Sequence, residues 1–158
     1  MLFRSAVALS TTSSANLSQS TDTYFGAATH ALYQTLTGYM SNIRIIKGTA
    51  LYTSAFTPPT SPLTAVSGTS LLTAQSNRFK DNSTNAFTIN VGAGAPSVRT
   101  FSPFSTTSVS IYSATTNGGS GYYDAGSTTY LNAGSNTAFA FGTGAYTVEC
   151  WVRSEEHT

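Results

Sequence analysis

Two segments with the alternating pattern of a β-strand, residues 39–45 and 145–152, constrain this fold most. In the first, Tyr39, Ile43 and Ile45 occupy one set of alternate positions. Asn42 and Arg44 occupy the other set. Because successive side chains of a strand point to opposite sides of the sheet, this spacing predicts one apolar and one polar face. The sequence therefore predicts a half-buried strand early in the chain.

The second segment predicts a core strand near the carboxyl end. Its apolar face carries Tyr146, Val148, Cys150 and Val152, and its opposite face carries Thr147, Glu149 and Trp151. Shorter runs with strand character lie between the two segments, at residues 70–76, 87–91, 98–101, 109–112, 121–124 and 129–132. Turn residues separate these runs about every 8 to 12 positions, a spacing typical of antiparallel sandwiches and jelly rolls. The fold class that we predict is all-β.

A proline-rich stretch divides the chain. Pro58, Pro59 and Pro62 lack the amide hydrogen that strand pairing needs, so the first strand pattern should end before them. We therefore place a domain boundary at residues 61–69. Residues 92–96 contain two glycines and a proline, which predicts a hairpin connection. Residues 24–36 predict a strand, although their apolar spacing would also suit a short helix.

The composition argues against several classes of partner. Of the 158 residues only 8% are charged, the formal net charge is +1, and Ser and Thr together make up nearly a third. A nucleic-acid-binding face needs clustered basic residues to neutralise phosphates, so we expect no nucleic-acid partner. No apolar run approaches the roughly 18 residues of a membrane span, so we expect none. The single cysteine, Cys150, excludes an internal disulfide, and we expect it to be a small core residue.

The two ends of the chain have a common explanation at the level of the gene. If residues 1–5 are encoded GTG CTC TTC CGA TCT, the reverse complement is AGA TCG GAA GAG CAC, which encodes Arg-Ser-Glu-Glu-His. Residues 153–157 have that order. We therefore predict that residues 1–5 and 153–158 are scars of a sequencing adapter, and we exclude them from predictions of the fold. Codons unlike the adapter at both ends would contradict this prediction.

Two motifs resemble the laminin-G-like, concanavalin A-like jelly-roll domains that recur in tandem in phage tail and fibre proteins. GYMSNIRIIKGTALYTSAFTPPTSP, at residues 38–62, is similar to the carboxyl-terminal signature of such a domain. FGTGAYTVECWV, at residues 141–152, is similar to an element of its amino-terminal half. The resemblance implies an antiparallel β-sandwich (jelly roll) present as two incomplete halves. Residues 6–66 would end a first domain, and residues 67–152 would begin a second.

The resemblance also implies a function. We expect a non-catalytic carbohydrate-binding or adhesion module of a larger virion or extracellular protein. Its partners would be a host-surface glycan and neighbouring repeats of the same chain, and a purely structural spacer in a fibre is the alternative. Because both domains would be truncated, we expect the isolated chain to aggregate or stay largely unfolded unless the two halves combine into one composite sandwich.

Relatives of this jelly roll include glucanases, which raises the question of whether an acidic residue of this chain is catalytic. A glycosidase needs two carboxyl groups close to the scissile bond. Glu149 has no second acid at even spacing on its predicted strand, apart from the predicted scar. We therefore predict a structural role for Glu149 and no enzymatic activity, with a glycan hydrolase as the less favoured alternative.

A calcium site is a further possibility that the resemblance raises, since some laminin-G-like domains hold this ion at a loop rim. Calcium needs several converging oxygens, and Asp81 and Asp124 lie in different predicted loops. Ala145 and residues 74–76 stand where the family often has acidic residues, which weakens a metal site. We expect the two Asp side chains to close turns through local hydrogen bonds, and we predict no cofactor.

Aromatic residues near Asn-rich turns are the candidate ligand-binding residues. They are Tyr122, Tyr123, Tyr130 and Trp151. Sugar rings present apolar C–H faces that stack on aromatic side chains, while amides and hydroxyls bond to the OH groups of the sugar. We predict that these four residues contribute to a glycan-binding surface. The alternative is that they pack the interior of the sandwich or cover a neighbouring repeat.

Overall fold

The computed structural model describes residues 5–12, 22–27, 35–105, 112–125 and 128–155, with the main-chain path alone for residues 5–12. Its elements in chain order are β1 (Ser5–Thr12), β2 (Tyr24–Phe25), β3 (Thr37–Lys47), β4 (Thr69–Thr73), β5 (Asn90–Val91), β6 (Ser97–Arg99), β7 (Ser120–Asp124), β8 (Leu131–Asn132), a 3₁₀ turn (Thr137–Phe139) and β9 (Ala145–Ser154). No α-helix occurs in these described ranges. The predicted all-β class is confirmed.

The strands form two antiparallel sheets. The larger sheet has the order β1-β9-β3-β7-β6, with β4 also paired to β3. The smaller sheet has the order β2-β8-β5. β3 is central, because β9 lies along one of its edges while β7 and β4 share the other.

Apolar side chains cover the larger sheet on both faces. Its inner face, which we define as the face toward the smaller sheet, packs around Ile45, Leu71, Ala133 and Phe139, with Phe25, Phe87, Ile89, Phe141 and Val148 against them. Its outer face carries a second cluster of Leu63, Leu72 and Trp151, against which Phe104 packs. Residues 48–66 supply Leu63 to this cluster, so the proline-rich segment returns across the sheet. The two sheets packed around the inner cluster give the chain the character of a β-sandwich.

A β-bulge at Asn42 interrupts the alternation of β3. Ser41 lies opposite Trp151, but Arg44 lies opposite Glu149, so β3 contains one extra residue between these pairs. Asn42 has a φ of 53°, in the left-handed region that Asn tolerates better than most residues. Its side-chain oxygen accepts a hydrogen bond from the Leu63 amide at 2.7 Å.

The bulge corrects the predicted assignment of faces. An inserted residue moves the following side chains to the opposite side of the sheet. Tyr39, which lies opposite Arg153, therefore shares the outer face with Arg44, and not the inner face with Ile43 and Ile45. The prediction of a half-buried strand is also wrong for residues 41–46, all of which are buried.

Several predicted strands are present, although shorter than predicted. Residues 92–96 do not form a hairpin, because β5 pairs with β8 whereas β6 pairs with β7 in the other sheet. This segment is a crossover between the two sheets. Residues 109–111 of the predicted strand at 109–112 and most of the predicted strand at 24–36 lie outside the described residues, and Tyr112 is not in a strand.

The two predicted parts of the chain contribute strands to the same sheets. β1, β2 and β3 precede the boundary at residues 61–69, and each pairs with a strand that follows it. The assignment of the two parts to different, longer domains stays a prediction.

Candidate functional site

The structure separates the four aromatic residues that the sequence predicts for a glycan surface. Tyr122 and Tyr123 are consecutive in β7 and point to opposite faces of the sheet. Tyr123 is 0% exposed, and Trp151 is 6% exposed with its ring edge-to-face against Phe104 at 5.3 Å between centroids. A sugar cannot reach either ring in this structure. Tyr130 lies just before β8, in the region of the smaller sheet.

Tyr123 is a core residue with an unusual hydroxyl group. Its Oη atom is buried and has no hydrogen-bond partner among the residues that the structure describes. Burial raises the pKa of Tyr123 above its ordinary value, because the phenolate would lose its hydration. The ring also lies against the main chain at Gly26, where a Cβ atom would come within 2.3 Å of it. These contacts assign Tyr123 to packing.

Tyr122 belongs to a cluster of three aromatic rings on the outer face, which we name the aromatic patch. Its members are Tyr39, Phe101 and Tyr122, and all three are half-buried. The ring centroid of Tyr39 lies 4.8 Å from that of Phe101 and 5.0 Å from that of Tyr122. The exposed guanidinium of Arg99 lies 5.6 Å from the Tyr122 centroid. The patch therefore combines aromatic rings with a cationic hydrogen-bond donor.

Sheet register positions the aromatic patch. Tyr39 of β3 and Tyr122 of β7 are directly opposite each other, which brings their side chains together on one face. Phe101 follows β6, and its carbonyl oxygen accepts a hydrogen bond from the Ser120 hydroxyl at 2.6 Å. The prediction missed Tyr39 because the bulge that moves it to this face is not evident in the alternating pattern. No sequence signal pointed to Phe101.

Arg153 covers part of the aromatic patch. Its guanidinium carbon lies 4.9 Å from the Phe101 centroid and 5.3 Å from the Tyr39 centroid. Glu155 forms an ion pair with it at 3.6 Å. Both residues fall in the predicted adapter scar, so we define the patch without them. A chain without this scar would expose more of the two rings.

Tyr130 forms a second, smaller tyrosine cluster. It packs edge-to-face on Tyr24 with 5.0 Å between the ring centroids. The Tyr24 hydroxyl donates to the Asp22 carboxylate at 3.5 Å, and the Asn132 side-chain amide donates to the same oxygen at 2.9 Å. Desolvation, and then the nearby Asp22, raise the pKa of Tyr24. This cluster is small, and its polar groups bond to one another.

Glu149 is held in a buried network on the outer face. One of its carboxylate oxygens accepts from two guanidinium nitrogens of Arg44, at 2.6 and 2.5 Å. The Tyr52 hydroxyl donates to the other oxygen at 2.8 Å, and Arg44 also donates to the Thr64 carbonyl at 2.7 Å. Arg44 is 5% exposed and Glu149 is 2% exposed. These contacts occupy the carboxylate in a structural network.

Asp81 closes a turn, as predicted for it. Its two carboxylate oxygens accept from the amides of Leu72, Ser83 and Phe87 and from the Ser83 hydroxyl, at 2.8 to 3.0 Å. Asp124, the other acid weighed for calcium, accepts from the Thr129 hydroxyl at 2.6 Å. In the part of the chain that the structure describes, no three His, Cys, Asp or Glu side chains cluster as metal ligands would.

A cleft of about 460 Å³ lies away from the aromatic patch, beside the ends of β3 and β4. Lys47, Ser70, Thr84 and Asn85 are among its polar lining residues, and none of the described residues that line it is aromatic. The Lys47 ammonium group donates to the Thr137 carbonyl at 2.9 Å. These described residues offer no aromatic ring on which a sugar could stack.

Comparison with protein-family models, curated proteins and solved structures finds no match to this chain. Among the described residues, no helix is long and apolar enough to span a membrane.

Proposed function

We propose that this chain is part of a non-catalytic carbohydrate-binding module of a larger virion or extracellular protein, with a host-surface glycan as its ligand. The aromatic patch carries the proposal. Its half-exposed rings offer apolar faces to the C–H groups of a sugar. The exposed Arg99 beside Tyr122 has several N–H donors that can bond to sugar hydroxyls.

We also propose that the module is a laminin-G-like jelly roll of the kind that recurs in tandem in phage tail and fibre proteins. Two packed antiparallel sheets are compatible with that fold. The motif at residues 38–62 contains Arg44 and the motif at residues 141–152 contains Glu149, and these two side chains form the buried ion pair. Because this ion pair takes one residue from each motif, both motifs contribute to the folded structure.

The buried network supports a non-catalytic role. A catalytic carboxyl group has to reach the scissile bond of a substrate. The Glu149 carboxylate is nearly inaccessible and is occupied by Arg44 and Tyr52. An activity lost on Glu149→Gln in a variant that remains folded would contradict this part of the proposal.

A glycan array tests the proposed binding. We expect a carbohydrate-dependent signal from the unmodified chain, with a dissociation constant on the order of 1 mM. Tyr122→Ala should abolish the signal, whereas Tyr123→Phe, which alters a buried ring, should leave it unchanged. Arg153→Ser should strengthen binding about two- to fivefold, because it removes a cation–π contact of ~0.5–1 kcal/mol that covers the rings. Absence of any signal would contradict the proposal.

A structural spacer is the second candidate function. The burial of Tyr123 and Trp151 favours it, because two of the four predicted ligand-binding residues serve packing. If the chain is a spacer, neither the parent chain nor the Tyr122→Ala variant should give a glycan-dependent signal on the array. Thermal stability measured with and without the array glycans separates the two candidates independently.

A further inference from the structure

Strands from the two predicted parts of the chain are interleaved. β1 pairs with β9, β2 pairs with β8, and β3 pairs with β4, β7 and β9. β9 therefore lies between β1 and β3, both of which precede residue 66. Among the described strands, none of β1, β2 and β3 pairs with another of the three. Apart from an isolated bridge between Ala27 and Thr35, the described strands of the first part therefore pair only with strands of the second part.

The contacts between the parts are chemically specific. Arg44 of β3 and Glu149 of β9 are both buried, and each charge is neutralised by the other. On the opposite side of the sheet, Ile45 lies directly across from Val148. The first part therefore recognises the second by charge, shape and hydrogen-bond register, and none of these features requires both parts to belong to the same polypeptide.

A tight turn connects the two parts. Residues 65–68 are exposed and join the outer-face segment to β4. The turn is closed by the Thr69 amide, which donates to the Val66 carbonyl at 3.0 Å. Gly68 has a φ of 81°, and a Cβ atom there would lie 2.6 Å from the Lys47 carbonyl oxygen. If this turn opens, the chain before it becomes available to another molecule.

We propose that the segment before this turn exchanges between two copies of the chain. In the exchanged dimer, each pair of sheets contains β1, β2 and β3 of one copy and β4 to β9 of the other. The strand ladders, the Arg44–Glu149 pair and both apolar clusters are then rebuilt unchanged, and only residues 65–68 alter their conformation. In a tandem protein, the same exchange would link consecutive repeats.

The unmodified chain provides the first test. A short connection gives the two parts an effective concentration of roughly 1 mM for each other, so about a tenth of the chains should exchange at roughly 100 µM. We expect refolding at increasing concentrations to give a rising dimer fraction, measured by light scattering after size exclusion. The dimer should persist on dilution, because exchange requires unfolding. Monomers alone after refolding at 1 mM would overturn the proposal.

Cysteine trapping distinguishes strand exchange from association of two closed monomers. In a Cys150→Ser background, Met40→Cys and Val152→Cys introduce thiols at directly opposite positions of β3 and β9. When the two single variants are refolded together, an exchanged dimer forms a disulfide between chains. The double variant, which should form the bridge within one chain, checks the geometry. Thr143→Cys, which is exposed beyond the Lys47 end of β3 and so lies far from position 40, is refolded with Met40→Cys to measure random collision.

The outcomes of the trapping experiment are distinct. Exchange predicts at least a fivefold excess of the 40–152 disulfide over the collision control, and a larger dimer fraction for Gly68→Ala, which strains the closed turn. Dimers without this disulfide, in a protein whose double variant forms its internal bridge, would refute exchange.

Discussion

Removal of one partner of the Arg44–Glu149 pair should be among the most destabilising single changes in this chain. Glu149→Leu leaves the buried Arg44 guanidinium without the carboxylate that neutralises it, and it removes an acceptor of the Tyr52 hydroxyl. Loss of one partner of a buried ion pair costs about 3–5 kcal/mol. Since whole domains have unfolding free energies of about 5–15 kcal/mol, the variant should lose a large fraction of its stability.

The double variant is the decisive comparison. Arg44→Met with Glu149→Leu removes both charges and replaces them with apolar side chains of similar size. Thr64 and Tyr52 lie near the surface, where water can replace the lost contacts, so the double variant should come within about 2 kcal/mol of the parent. A coupling energy of roughly 3 kcal/mol or more follows.

Urea unfolding followed by Trp151 fluorescence measures this cycle, because the indole is buried on the same face of the sheet. Arg44→Met alone should be nearly as harmful as Glu149→Leu alone. If the two single effects simply add in the double variant, the two side chains are not coupled and the account of the buried network is incorrect.

Three further changes test other contacts. Tyr123→Phe removes a buried hydroxyl that has no partner in the described part of the chain, so it should raise the free energy of unfolding by about 1 kcal/mol; a loss of that size would show that the hydroxyl is bonded. Asp81→Ala removes the acceptor of three amides and a hydroxyl and should cost about 3 kcal/mol or more in urea unfolding; a near-neutral effect would contradict the turn-closing role. Burial, and then the charge of Glu149, raise the pKa of Cys150 from 9.0 to about 11. The Cys150 thiol therefore holds its proton more tightly in the folded chain than in the unfolded chain. The free energy of unfolding should be highest below about pH 9 and should fall by up to about 3 kcal/mol as the pH rises toward 11. Cys150→Ala should reduce this loss, and an identical pH profile for the variant would contradict it.

The sequence predicted the positions of the strands in the larger sheet better than it predicted which of their faces are buried. The apolar alternation around Tyr146, Val148 and Cys150 identifies β9 because a strand that packs a core must repeat every second residue. The pattern could not show that the opposite face of this strand is also buried. That burial depends on the return of residues 48–66 across the sheet, and a contact over about a hundred positions has no local signal.

The candidate site was predictable only in part. Tyr122 was named from the sequence because it is an aromatic residue near turns, and it is a member of the aromatic patch. Its neighbour Tyr123 satisfies the same description and is buried, since consecutive residues of a strand face opposite ways. Tyr39 joins the patch through the bulge at Asn42, whose side-chain oxygen accepts a hydrogen bond from the distant Leu63 amide.

Hydrogen exchange of the isolated chain tests most directly whether strands from both sides of the boundary form one sheet. The account predicts that the paired amides of β3 and β9 are protected together, and that both open with the same free energy as those of β4 in a single cooperative transition. Rapid exchange of β3 while β4 and β9 stay protected would contradict it, as would the absence of any cooperative unfolding.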